Sequence, residues 1–179
     1  EVLVTHKQVK PPADIDDLSG RRLFVRKSSS YYDSLLRLNR HLSEKGLKPV
    51  RIVEADETLE TEDILEMVNT GAIKGTVADS HLAGIWSDVF ENIRVHESIK
   101  FRQGSKIAWA VRKNNPRLKQ SLDDFIRAHG KGTLMGNIFF NRYYKNNTWI
   151  QNPLENSDSQ KVKKLKPLLV KYADRYGFD

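Results

Sequence analysis

The chain of 179 residues has no cysteine. Disulfide staples, cysteine-ligated metals and a thiol nucleophile are therefore excluded, which is permissive of an extracytoplasmic home. No run approaches the roughly 18 apolar residues a membrane span needs. The first residues, Glu1-Val2-Leu3-Val4 followed at once by His6 and Lys7, lack the pattern of a signal peptide, and the chain opens inside a strand-like segment. The five histidines (6, 41, 81, 96 and 129) have no metal-ligand spacing, so no metal site is expected and each is read as a surface or partly buried residue.

Catalytic patterns are missing as well. Gly71 to Gly75 lacks the Lys-Ser/Thr that ends a phosphate loop. Gly104-Ser105 has no second glycine and precedes a strand-like run where a nucleophile elbow needs a helix. Asp123 and Asp124 are adjacent on a helical stretch and so face different ways. No catalytic residue and no cofactor is expected.

What is present begins with charge. The formal net charge is +7, spread along the chain except for the run Lys161, Lys163, Lys164 and Lys166. Nucleic-acid modules interleave such charges with stacking aromatics. Here the aromatics occupy apolar-face positions, so no nucleic-acid partner is expected. An anionic lipid or cell-wall surface accounts for the excess equally well.

Strand and helix signals alternate. Pro11-Pro12 and Asp14 to Asp17 form a connector, and Leu18-Ser19-Gly20 turns into the strand Arg22–Arg26. Ser28-Ser29-Ser30 precede a helix from Tyr31 to about Glu44, with apolar residues three and four apart at Tyr32, Leu35, Leu36, Leu38 and Leu42. Strands are predicted at 49–54, 75–79 and 93–96. A fifth is predicted over Lys106 to Arg112, where continuous apolarity suggests a buried parallel strand. Helices are predicted over 61–70, through 82–89, over 116–128 and over 134–144. This alternation predicts an α/β three-layer sandwich with a largely parallel central sheet. Residues 147–159 are read as a linker and 160–179 as an amphipathic helical tail.

Two places invite a ligand. Ser28 to Ser30 lie where a strand hands over to a helix, and unpaired N–H groups there suit a carboxylate or phosphate. Ser30 equally suits the role of helix cap. Asp79 ends a strand on the edge where α/β sheets bind ligands, and it too could simply cap the next helix.

The run Asp17-Leu18-Ser19-Gly20-Arg21-Arg22-Leu23-Phe24-Val25-Arg26-Lys27-Ser28-Ser29-Ser30-Tyr31 resembles the start of the second lobe of family 3 solute-binding proteins. Gly75 to Ser80, Lys106 to Lys113, Leu122 to Phe125 and Gly130 to Leu134 are similar to further segments of that lobe, in the same order. Glu54 to Asn69, Tyr143 to Trp149 and Leu168 to Asp179 resemble, more narrowly, the receptor-like half of membrane-bound lytic murein transglycosylases. The resemblance implies one lobe of a type 2 periplasmic binding fold, with residues 1–8 crossing from a first lobe and 9–146 forming the second. It implies a non-catalytic, ligand-binding regulatory module of an envelope protein, periplasmic and attached through its parent to the outer membrane. The ligand would be an amino acid or a muropeptide, and peptidoglycan would be met through the parent. Ser29, Ser30 and Tyr31 would face a ligand carboxylate and Asp79 an α-ammonium. The family has glycine where this chain has Ser28. A first lobe before Val2 and a catalytic domain after Asp179 are the further implied partners. The competing readings are a receptor for an ABC importer and a structural module anchored to envelope polymer by its basic tail.

Overall fold

The computed structural model describes residues 1–145 and 156–177. Close packing divides the chain into two units, 1–147 and 148–179. The first is built on five strands: β1 (Val2–His6), β2 (Arg22–Arg26), β3 (Arg51–Ala55), β4 (Gly75–Ala78) and β5 (Ile93–Lys100). They lie in the order β3-β2-β4-β1-β5. β2 runs parallel to β3 and β4, whereas β1 is antiparallel to β4 and β5. Four strands thus share one direction, and the largely parallel sheet holds with one reversed strand in its middle.

Alternating side chains go to opposite faces of a strand, and the two faces account for the three layers. Leu3, Leu23, Val25 and Val77 pack on one face under α1 (Ser30–Glu44), against Leu35, Leu38 and Leu42. Val2, Val4 and Ala78 pack on the other face with Ile64, Leu65 and Val68 of α2 (Thr61–Asn69) and Ala83 of α3 (Ser80–Ser87). Trp86 stacks on Phe90 at 4.8 Å between ring centroids, within this second layer. The start of α2 is fixed by Asp63, whose carboxylate accepts the Glu60 backbone N–H at 2.7 Å.

α4 (Pro116–His129) and α5 (Leu134–Phe140) form where the sequence predicts them. Asn115 caps the first with Pro116 at its first position, and Thr133 caps the second. A π turn, Asn141–Lys145, continues α5.

The expected strand over Lys106 to Arg112 does not form. Ile107 and Trp109 are 78% and 59% exposed, and no strand of the sheet lies beside them. A strand exists only through a ladder partner. Apolar composition cannot supply that partner, so the segment stays irregular. The predicted linker over 147–159 falls largely outside the described residues. Its last part is helical instead, because α6 spans Asn156–Tyr176 and so starts earlier than the expected residue 160. No described helix is long and apolar enough to cross a membrane.

One buried polar pair couples β1 to β5. Thr5 Oγ1 lies 2.8 Å from His96 Nε2, and His96 is 8% exposed. Burial, then the positive charges of Arg94 and Arg21, hold the imidazole pKa below its ordinary value. The unfolded chain takes up a proton near pH ~6.5, where the folded one still resists it. This contribution is therefore fully present above that pH and is lost as pH falls through the lower folded pKa. His96→Gln is expected to flatten the acid side of a plot of urea midpoint against pH between 7.5 and 5. Parallel curves for the two proteins would refute the assignment.

Candidate functional site

Because β2, β4 and β5 share a direction, their carboxyl ends meet at one edge of the sheet, and antiparallel β1 brings its first residues to the same edge. Ligands of open α/β sheets bind at such an edge. There a cleft of about 590 Å³ opens, within the range of small-molecule sites. Glu1, Ser30, Asp79 and His81 line it, as do Lys100 and residues 102–107. The β1–β5 register shifts between Val2 and Leu3, so that Val2 pairs with Lys100 while Leu3 pairs with His96. Such an irregularity re-aims the strand end, here toward the cleft.

Of the four residues singled out in the sequence, Ser30 and Asp79 both line this cleft. Tyr31 joins them from behind. Its hydroxyl oxygen accepts the Asp79 backbone N–H at 3.2 Å, tying the start of α1 to the end of β4. Burial, then the Asp79 carboxylate, pushes the phenol above its ordinary pKa, so it stays neutral around pH 7. Ser29 points elsewhere, its hydroxyl donating to Arg26 O at 2.7 Å.

Capping at these two helix starts differs from the simplest expectation. Ser29, not Ser30, sits at the cap position of α1, and its side chain makes no cap bond. Ser30 is the first helical residue, and its hydroxyl donates to Glu1 Oε1 at 2.9 Å. Asp79 holds the cap position of α3, also without a side-chain cap bond. Its carboxylate is not engaged in closing the helix.

Ser28, where the resembling family has glycine, is tied down. Its backbone N–H donates to Glu57 Oε1 at 3.1 Å, and its hydroxyl donates to the other carboxylate oxygen. These bonds hold the Glu57 carboxyl below its ordinary pKa. The β2–α1 turn is thereby fastened to the loop between β3 and α2.

Sequence reasoning missed Glu1, Lys100, Arg102 and Lys106. Lys100, Arg102 and Lys106 carry no pattern of their own, and they meet only because β5 ends at the same edge as β4. Glu1 stands at the amino end of β1, a position that gains meaning once β1 is known to run against its neighbours. His81, read as an ordinary histidine, lines the cleft and packs its ring 6.5 Å from that of Tyr144. No group of three or more potential metal ligands occurs among the described residues.

This edge cleft, and the three layers behind it, have the fold of one lobe of a periplasmic-type solute-binding protein. Solved structures agree in fold. An ancestral arginine-binding protein bound to glutamine aligns over 81% of this chain and 59% of its own length, with a TM-score of 0.58 at 16% identity. The substrate-binding protein of an amino acid ABC transporter aligns over the same shares, with a TM-score of 0.60 at 15% identity. No family model matches the chain. In sequence, the chain is a homologue of the membrane-bound lytic murein transglycosylase F proteins. It is 29% identical to that of Desulfosudis oleivorans over 99% of this chain, and 31% identical to that of Stutzerimonas stutzeri over 74%. It spans 38% and 26% of the length of those two relatives.

Proposed function

We propose that the chain is the ligand-binding regulatory lobe of a lytic murein transglycosylase-like envelope protein, and that it takes an amino acid or a peptidoglycan-derived peptide. The observation that carries this is the meeting of Ser30 and Asp79 in one cleft at the carboxyl edge of the sheet, with Tyr31 bonded to the Asp79 backbone. Asp79 offers a carboxylate free of capping duty to a ligand ammonium. Ser29, Ser30 and Tyr31 form the adjoining β2–α1 turn, with Ser30 lining the cleft and Tyr31 tied to Asp79 from behind.

The exposure of Ile107 and Trp109 supports a first lobe that covers them. Closure of two lobes on a ligand shifts the population toward the closed form by the ligand's preference for that form, and no more. In this arrangement residues 1–8 cross between lobes, 9–146 form the second lobe, and the chain from α6 onward leads to the catalytic domain. Chemistry on glycan belongs to the parent protein, in the periplasm and attached to the outer membrane.

The test is thermal unfolding of the chain with amino acids and muropeptides. A ligand at ten times its Kd stabilises the folded state by about 1.4 kcal/mol. For a chain of this size that raises Tm by about 3 to 6 °C. No shift with any of them up to their solubility limits would sink the reading.

A further inference from the structure

A second cavity, of about 310 Å³, opens at the end of the sheet away from the edge cleft, where β1 finishes and β2 and β4 begin. That volume is at the lower end of small-molecule sites. Its lining is mostly apolar, Val9, Leu18 and Leu23 included. Four of its ten lining residues are cationic, Lys10, Arg21, Arg22 and Lys74, and none is acidic. The edge cleft is different, because Glu1 and Asp79 sit among its cations.

Arg21 is held in place without being neutralised. Its Nε donates to Asp17 O at 2.8 Å and its Nη1 donates to Lys10 O at 3.0 Å. Both acceptors are carbonyls, which fix the planar guanidinium and leave its charge whole. Of its five N–H groups, three stay open. Among the described residues no carboxylate lies within 4.0 Å of Lys10, Arg21, Arg22 or Lys74. The acids of the adjoining turn face other partners. Asp14 accepts the Asp16 and Asp17 N–H groups, Asp17 accepts the Ala13 N–H, and Asp16 bonds to His41 and Lys45. The positive charge also reaches inward. Thr5 of the cavity wall bonds to buried His96, whose pKa is lowered by burial first and then by Arg94 and Arg21.

We infer that this second cavity binds a small amphiphilic carboxylate, its head on the open N–H groups of Arg21 and its short apolar chain along the lining. The planar fork of an arginine matches a carboxylate, and two carbonyl bonds have already ordered this one. Lys10, Arg22 and Lys74 add attraction that no neighbouring acid offsets. The site is separate from the edge cleft and independent of the function proposed there.

Octanoate and octylamine share an eight-carbon chain and differ in the sign of their head groups at pH 7. Amide-resolved NMR titration of the chain with each reads affinity and place together. The expected result is octanoate shifts concentrated at Leu18 to Leu23 and at Lys74 and Gly75, with octanoate tighter than octylamine by at least about tenfold. Arg21→Gln is expected to weaken octanoate by about tenfold, the size of a lost bond to a charged group. Arg21 also ties two backbone carbonyls, so Lys74→Gln is the second variant. It removes an exposed charge and is expected to weaken octanoate by about threefold. Octanoate shifts at 102–107 instead would place the anion in the edge cleft and overturn the assignment. So would octylamine bound as tightly as octanoate, or no octanoate shift up to its solubility limit. An unchanged octanoate affinity in Arg21→Gln, or in Lys74→Gln should Arg21→Gln not fold, would overturn it as well.

Discussion

Asp79→Ala is expected to reduce ligand affinity by about tenfold to a hundredfold, the size of a lost hydrogen bond to a charged group, while leaving Tm nearly unchanged. The separation of the two effects comes from geometry. Asp79 stands at the cap position of α3, where replacing a side chain that caps costs about 0.5–2 kcal/mol. Here the side chain makes no cap bond. What ties the residue into the fold is its backbone, whose N–H donates to Tyr31 and whose carbonyl accepts the Ala83 N–H at 2.9 Å. Alanine keeps both bonds. Calorimetric titration and a melting curve on the same sample check the claim. A large fall in Tm with unchanged affinity would mean that Asp79 is structural.

Leu35→Ala and Leu65→Ala are each expected to destabilise the fold by about 2–5 kcal/mol. Both side chains are fully buried, but on opposite faces of the sheet, Leu35 under α1 and Leu65 under α2. Because each leaves its own cavity and they share no partner cluster, their losses should add within about 0.5 kcal/mol in the double variant. Leu36→Ala is the control. It neighbours Leu35 on α1 but is 42% exposed, and its loss should stay within about 0.5 kcal/mol. Urea midpoints measure all four. Equal losses for Leu35 and Leu36, or a silent Leu65, would contradict the three-layer arrangement.

The layers were legible because their signals are local. Leu35, Leu38 and Leu42 repeat at helical spacing, Leu23 and Val25 alternate around Phe24, and both patterns name a buried face before any partner is known. The place of Asp79 in the cleft was legible for a topological reason, since a residue just past the end of a parallel strand falls at the carboxyl edge of the sheet whatever the details. Lys106 to Arg112 misled because apolar composition says that a segment should be covered, not that a strand lies beside it to pair with. The role of Ser30 was hidden for a related reason. Its hydroxyl partner is Glu1, 29 positions away, and the two meet only because β1 runs against β2 and β4. Whether a serine caps a helix or holds a distant carboxylate is decided by such long-range pairing, which short patterns do not encode.

If the edge cleft takes a ligand, an amide-resolved NMR titration of the chain with amino acids, simple amines and muropeptides locates it residue by residue. Shifts are expected at Ser30, Tyr31, Asp79 to His81 and the 100–107 segment, reduced in Asp79→Ala. Shifts confined to the basic residues of 161–171, or none at this edge at any ligand concentration, would contradict the ligand-site reading.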